Sequence, residues 1–135
     1  MAKRSVLEIE SSLAQTLLQA ADETDFITAF ESLKWMSISS IDFQIRILPQ
    51  RALTSFLKML LVVLRSHRDF ELVQSYLAAF LRIHRNKLWT SDAEAEDLEK
   101  TLDELRNELR SSWERMDQLL LDNASMIQWI KTALL

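Results

Sequence analysis

The chain contains no glycine and one proline, Pro49. Glycine reaches positive φ without steric cost, so tight hairpins, phosphate loops and dinucleotide fingerprints depend on it. Its complete absence argues against all three. A chain that is instead rich in Leu, Ala, Glu, Arg, Gln and Ser reads as helix throughout. The expected fold class is all-α: an irregular bundle of about six helices with a long C-terminal one.

The helices are delimited by caps and apolar periodicity. Ser5 and Glu8 form a capping box ahead of a stripe at Val6, Leu7, Ile9, Leu13, Leu17 and Leu18. Thr24 or Asp25 is the expected cap of a second helix carrying Phe26, Ile27, Phe30, Leu33 and Trp35. Ser39 or Ser40 is the expected cap of a short third helix, "SSIDFQIRILP", with Ile41, Ile45 and Leu48 on one side. Pro49 disfavours helical geometry at Leu48 and suits the opening of the next helix. That fourth helix, Gln50 to about Ser66, is apolar nearly all round at "FLKMLLVVL", which predicts a central position. Asp69 is the expected cap of a fifth helix reaching about Lys87, and Ser91 with Glu94 forms a second capping box.

No breaker follows. Leu98, Leu102, Leu105, Leu109, Ser112, Met116, Leu119, Asn123, Met126 and Ile130 alternate steps of four and three residues. This is a heptad seam with two polar interruptions. It supports one very long helix, or two with a bend at "LDNAS". Trp113, Leu120, Ile127 and Leu134 widen the stripe beyond a two-position seam, which favours a helix lying across the bundle over a stand-alone coiled coil. Met126, Ile130 and Ala133 are expected to continue the inward seam, with Ile127, Leu134 and Trp129 on its borders. A terminal helix has few neighbours, so part of this surface is expected to stay open for a partner.

At 135 residues, 48% hydrophobic and 27% charged, the chain has the make-up of one globular domain with a real core. Cysteine is absent, which removes disulfides, zinc–thiolate sites and thiol nucleophiles. "MAKRSVLEIESS" lacks the apolar core of a secretory signal. The longest apolar stretch, Ala52–Leu64, is interrupted by Thr54, Ser55 and Lys58 and is too short to span a bilayer.

The net charge of −4 hides a partition. Residues 1–45 and 88–135 are acidic, at −4 and −6, whereas residues 46–87 carry eight bases and two acids. The plain reading is that acidic and basic helices face each other or solvent. The sharper alternative is an RNA-binding surface on 46–87.

Chemical motifs are weak. "HRD" at 67–69 imitates a kinase catalytic loop, but Gln74 stands where Asn is needed and no glycine-rich loop can exist. His67 and His84 are the only histidines, seventeen apart, with no cysteines to complete a metal site. A Ser–His–Asp triad lacks an oxyanion turn. "DAEAEDLE" reads as a favourable first helical turn with a solvated face. The expectation is therefore no enzyme, no metal and no cofactor. Trp35, Trp89, Trp113 and Trp129 read first as core anchors and second as interface residues. Asp42 and Arg46 are i,i+4 neighbours. They are expected to serve structure, by capping or by bonding carbonyls of a nearby loop.

"SSIDFQIRIL", "RSHRDFELVQSYLAAFLRIH" and the closing "IQWIKTALL" resemble the C-terminal helical domain of nucleolar WD-repeat proteins of the WD-repeat protein 36 type, subunits of the UTP-B subcomplex of the small-subunit processome. The resemblance spans residues 30–135, and between 93 and 120 it extends only to helical character. It implies one helical domain, 1–135, following two β-propellers in a longer protein. It further implies a non-enzymatic scaffold of ribosome biogenesis, acting in small-subunit ribosomal RNA processing in the nucleolus. The implied partners are other UTP-B subunits, met through their helical C-terminal domains, with weak or indirect pre-ribosomal RNA contact at most. No membrane, cofactor or small-molecule substrate is implied. Ile41, Asp42, Ile45 and Arg46 fill an I-D-x-x-I-R pattern, and Arg68, Asp69, Phe70 and Glu71 an R-D-F-E pattern. The candidate partner-binding residues are thus Trp129, Ile127 and Leu134, with Asp42, Arg46, Arg68 and Asp69.

Overall fold

The structure, a computed structural model, describes residues 12–85 and 93–133. Among these it contains six helices and no strand: α1 Ser12–Gln19, α2 Glu23–Lys34, α3 Ile38–Arg46, α4 Gln50–Arg65, α5 Phe70–His84 and α6 Ala93–Ala133. The all-α bundle with a long last helix is therefore what the sequence folds into. The Ser5–Glu8 capping box, the Ser91 cap, Trp89 and Leu134 lie outside the described residues.

α4 is the centre, as an all-round apolar helix has to be. Ala52, Leu53, Phe56, Leu57, Met59, Leu60, Leu61, Val63 and Leu64 are buried along it. α1, α2, α5 and α6 all pack on it, while α3 packs on α5. Leu13 and Leu17 from α1, Phe30 and Leu33 from α2, Val73 and Phe80 from α5, and Leu98 and Leu105 from α6 complete one core. Each such side chain contributes roughly 1.5–3 kcal/mol by leaving water. Aromatic pairs tie the layers: Phe56 stacks on Phe80 at 5.3 Å, and Phe30 meets Tyr76 at 5.6 Å.

The helix starts differ from expectation in an instructive way. Asp22, not Thr24 or Asp25, caps α2 by accepting from the Asp25 amide. Asp25 in turn accepts from the Ala21 amide, so one orphan donor of the helix and one amide of the preceding loop are satisfied together. Ser37, not Ser39 or Ser40, caps α3 through the Ser40 amide. In both cases the helix takes the earliest suitable acceptor, which adds residues to the helix at no loss of capping. Pro49 stands immediately before α4 in extended geometry, and α3 ends two residues before Leu48.

α3 is held from an unexpected side. His84, buried at the end of α5, places Nε2 2.6 Å from the carbonyl oxygen of Ile45. That carbonyl belongs to the last turn of α3, where intrahelical donors run out. With a carbonyl as acceptor, Nε2 carries the proton. His84 is thus a core cap for a neighbouring helix.

The link between α4 and α5, residues 66–69, contains two non-glycine residues at positive φ: His67 at 61° and Asp69 at 51°. Each costs roughly 1–2 kcal/mol for most residues, and His and Asp are among those that tolerate it best. Asp69 occupies the N-cap position of α5 but makes no capping bond. Its carboxylate is turned instead to Lys34 Nζ at the end of α2, with both oxygens at 3.2 Å. Burial, and secondarily the Asp69 carboxylate, raises the Tyr76 phenol above its ordinary value of 10.0.

α6 runs 41 residues, about 60 Å, unbroken through Leu121–Ser125. Ion pairs fix its direction along α4: Lys58 with Asp97 at 3.5 Å, then Arg65 with Glu104 at 3.6 Å and Glu108 at 4.0 Å. The two helices run parallel, and α6 continues past the end of α4.

Candidate interaction surface

The heptad seam of α6 divides at Ser112. Before it, Leu98 and Leu105 are buried, and Leu102 and Leu109 pack against the core from partly buried positions. Ser112 is the last buried residue of the helix, and every residue from Trp113 to Ala133 is exposed. The expectation that Met126, Ile130 and Ala133 point inward is therefore corrected. The seam keeps its period, but α4 has already ended, so no described residue covers it. What projects is an arm with Met116, Leu119, Leu120, Met126, Ile127, Trp129 and Ile130 at its surface. Trp129 is 70% exposed.

The reading of tryptophans as core anchors is also corrected for those described. Trp35, Trp113 and Trp129 are all exposed. Trp113 nevertheless has a partner, meeting the Phe70 ring edge-on at 5.5 Å and 82°. Two positions later, Arg115 Nη1 lies 2.7 Å from Nδ1 of His67. These are the contacts by which the start of α5 and the turn before it touch the root of the arm.

Sequence reasoning missed a second apolar corner. Trp35 and Ile38, at 83% and 87% exposure, flank the α2–α3 junction. Trp35 follows the last residue of α2, where the stripe of Ala29, Phe30 and Leu33 has run out. The position past the helix end was the available signal. Another signal was Leu119–Leu120–Leu121: successive helical residues turn by about 100°, so three in a row cannot all face one neighbour.

The candidate residues are divided between the bundle and the arm. Asp42 and Arg46 pair with each other at 3.2 Å on the outside of α3. Neither makes the capping or loop-carbonyl bond expected of it, and such an exposed pair contributes only ~0.3–0.5 kcal/mol. Arg68 is exposed, and with Asp69, Glu31, Ile27, Phe30 and Val63 it lines a shallow depression. Ile127 and Trp129 lie on the arm itself.

The basic segment is partly neutralised by its surroundings. Lys58 and Arg65 face acids of α6, and Arg46 faces Asp42. Arg51, Arg68, Arg82 and Arg85 are exposed. Among the described residues, no cluster of three or more His, Asp or Glu is placed to hold a metal ion. No described helix is long and apolar enough to cross a membrane.

The fold and this surface define a class: a helical-bundle domain whose last helix overruns its own core and displays an apolar stripe. The chain belongs to the family of the Utp21 specific WD40 associated putative domain, whose model matches residues 1–131. The match therefore includes the first 29 residues, which precede the stretch that carries the motif resemblance. The human (Homo sapiens) WD repeat-containing protein 36 is 29% identical over 136 residues, covering 96% of this chain. The chain spans 15% of that relative's length.

Proposed function

We propose that this is a non-enzymatic assembly domain of a ribosome-biogenesis complex, working through protein–protein contacts made by the α6 arm. The reading takes the chain as one helical domain at the C-terminal end of a longer WD-repeat protein. Its partners are the other subunits of a UTP-B-type complex, met through their helical domains. Its place is the nucleolus, and its process is maturation of small-subunit ribosomal RNA. Family membership supports the biological setting. The exposed stripe on the arm carries the mechanism.

Large contiguous apolar patches are uncommon on isolated soluble domains and mark contact surfaces. The arm offers aliphatic side chains at repeated helical spacing with Trp129 among them, the composition of a helix-on-helix interface with an aromatic anchor. Asp42, Arg46, Arg68 and Asp69 are proposed as contributors at the rim, where charges steer a partner more than they hold it.

The test is Trp129→Asp in the full-length protein. The expected result is unchanged helical signal and melting temperature, with loss of co-purification of the other UTP-B subunits. Retained co-purification would refute the reading. Collapse of the fold would also refute it, because Trp129 would then be core.

A further inference from the structure

We infer that the α4–α5 turn, residues 66–69, is a socket that holds the α6 arm in one direction relative to the bundle. This rests on the reading that the arm docks a partner, and states how the fold prepares it.

The turn is built expensively for its length. Two of its four residues, His67 and Asp69, sit in the left-handed region without being glycine. Glycine at either would relieve the Cβ clash if chain reversal were the only task. Both side chains instead fasten other helices. Asp69 receives Lys34 from the end of α2. His67 receives Arg115 from α6. Phe70, which follows Asp69, meets Trp113 with the two rings nearly perpendicular.

The location is as informative as the contacts. Trp113 and Arg115 directly follow Ser112, the last buried position of α6. The turn therefore grips the helix at the step where the bundle ends and the arm begins. The Asp69–Lys34 pair anchors the turn to α2, so the grip is referred to the bundle and not to the end of α4 alone. A helix held only along one face can pivot and roll at its root. A ring contact and a guanidinium contact two residues apart oppose both motions. Fixing the direction beforehand lowers the ordering cost of docking.

The chain has no cysteine, so spin labels at Gln50→Cys and Gln128→Cys report the arm-to-bundle distance without interference. The 135-residue chain is expected to give one narrow distance distribution. His67→Gly keeps the left-handed backbone accessible and deletes the imidazole. It is expected to broaden the distribution while the melting temperature holds or rises. Trp113→Ala is expected to broaden it as well. A His67→Gly distribution as narrow as the parent's would overturn the socket, since the residue would then serve the turn alone. A parent distribution that is already broad would overturn it too. Trp129→Asp lies beyond the grip and is expected to leave the distribution narrow. Failure of docking and failure of the socket are therefore read separately.

Discussion

Leu105 and Leu119 occupy equivalent seam positions two heptads apart on one helix, and the structure gives them opposite fates. Leu105 is 0% exposed in the core, whereas Leu119 is 56% exposed on the arm. Replacing Leu105 by Ala removes the buried atoms and leaves a cavity beside α4, at about 3 kcal/mol. For a domain of 135 residues that corresponds to a melting temperature lower by roughly 10 °C. The same replacement at Leu119 gives up little burial, and Ala is at least as good a helix former as Leu. Its expected effect is within about 0.5 kcal/mol. The assay is urea unfolding followed by far-ultraviolet circular dichroism, with both variants measured at two protein concentrations. A loss at Leu119 comparable to that at Leu105 would refute the division of the seam at Ser112. If that loss also grew with protein concentration, self-association would be what covers the arm.

Three further outcomes follow from single contacts and charges. His84→Ala should destabilise by ~2–4 kcal/mol, because it opens a cavity and strips a donor from the Ile45 carbonyl; urea unfolding checks this. Tyr76 is the sole tyrosine, so its ionisation can be followed by ultraviolet absorbance. Its folded phenol is raised above the unfolded value of 10.0, so its contribution is intact below that pH and is lost as pH climbs toward the folded value. Unfolding free energy should therefore fall above pH 10.0, and Tyr76→Phe should flatten that slope. In titrations against single-stranded and structured RNA the domain should bind only weakly, because its net charge is −4 and Lys58 and Arg65 already face acids. Low-micromolar affinity with a steep salt dependence would favour an RNA-binding role for residues 46–87.

Much of the fold was legible because helical period and breakers are local signals. The glycine-free composition, Pro49 and the apolar run in α4 specified class, order and centre. What was not legible depended on where neighbours end. The seam of α6 is continuous in sequence, yet only the part opposite α4 is covered; the end of α4 near Ser66 was readable, but no local pattern records where along α6 that end falls. The same blindness affected the tryptophans: ring size argues for burial, but Trp35 and Trp129 are exposed, with no described helix covering them. Asp69 shows a different limit. Its position as first flanking residue of α5 was readable, but Lys34, thirty-five residues away, redirects its carboxylate. His67 and Asp69 also qualify the argument from missing glycine. Positive φ was not absent from the chain; it was assigned to the two side chains with contacts to make.

One seam serving two purposes has an energetic rationale. A 21-residue helical segment with every residue exposed, touching the bundle through Trp113 and Arg115 at its root, has little tertiary packing of its own, and an isolated helix of that kind is marginal in water. The barrier to such a helix is nucleation, because the first turn orders several residues for one hydrogen bond. Here residues 93–112 are already helical against α4, so the arm begins from a formed nucleus and needs only propagation. Its sequence permits that, with three Leu, two each of Met, Gln and Ala, and no glycine or proline from Trp113 to Ala133. Helicity should decline gradually toward Ala133 and be highest at the grip of Trp113 and Arg115. Docking of a partner then has to order side chains and the last turns, but not to nucleate a helix. The core thus supplies the conformational order of a surface it does not itself bury.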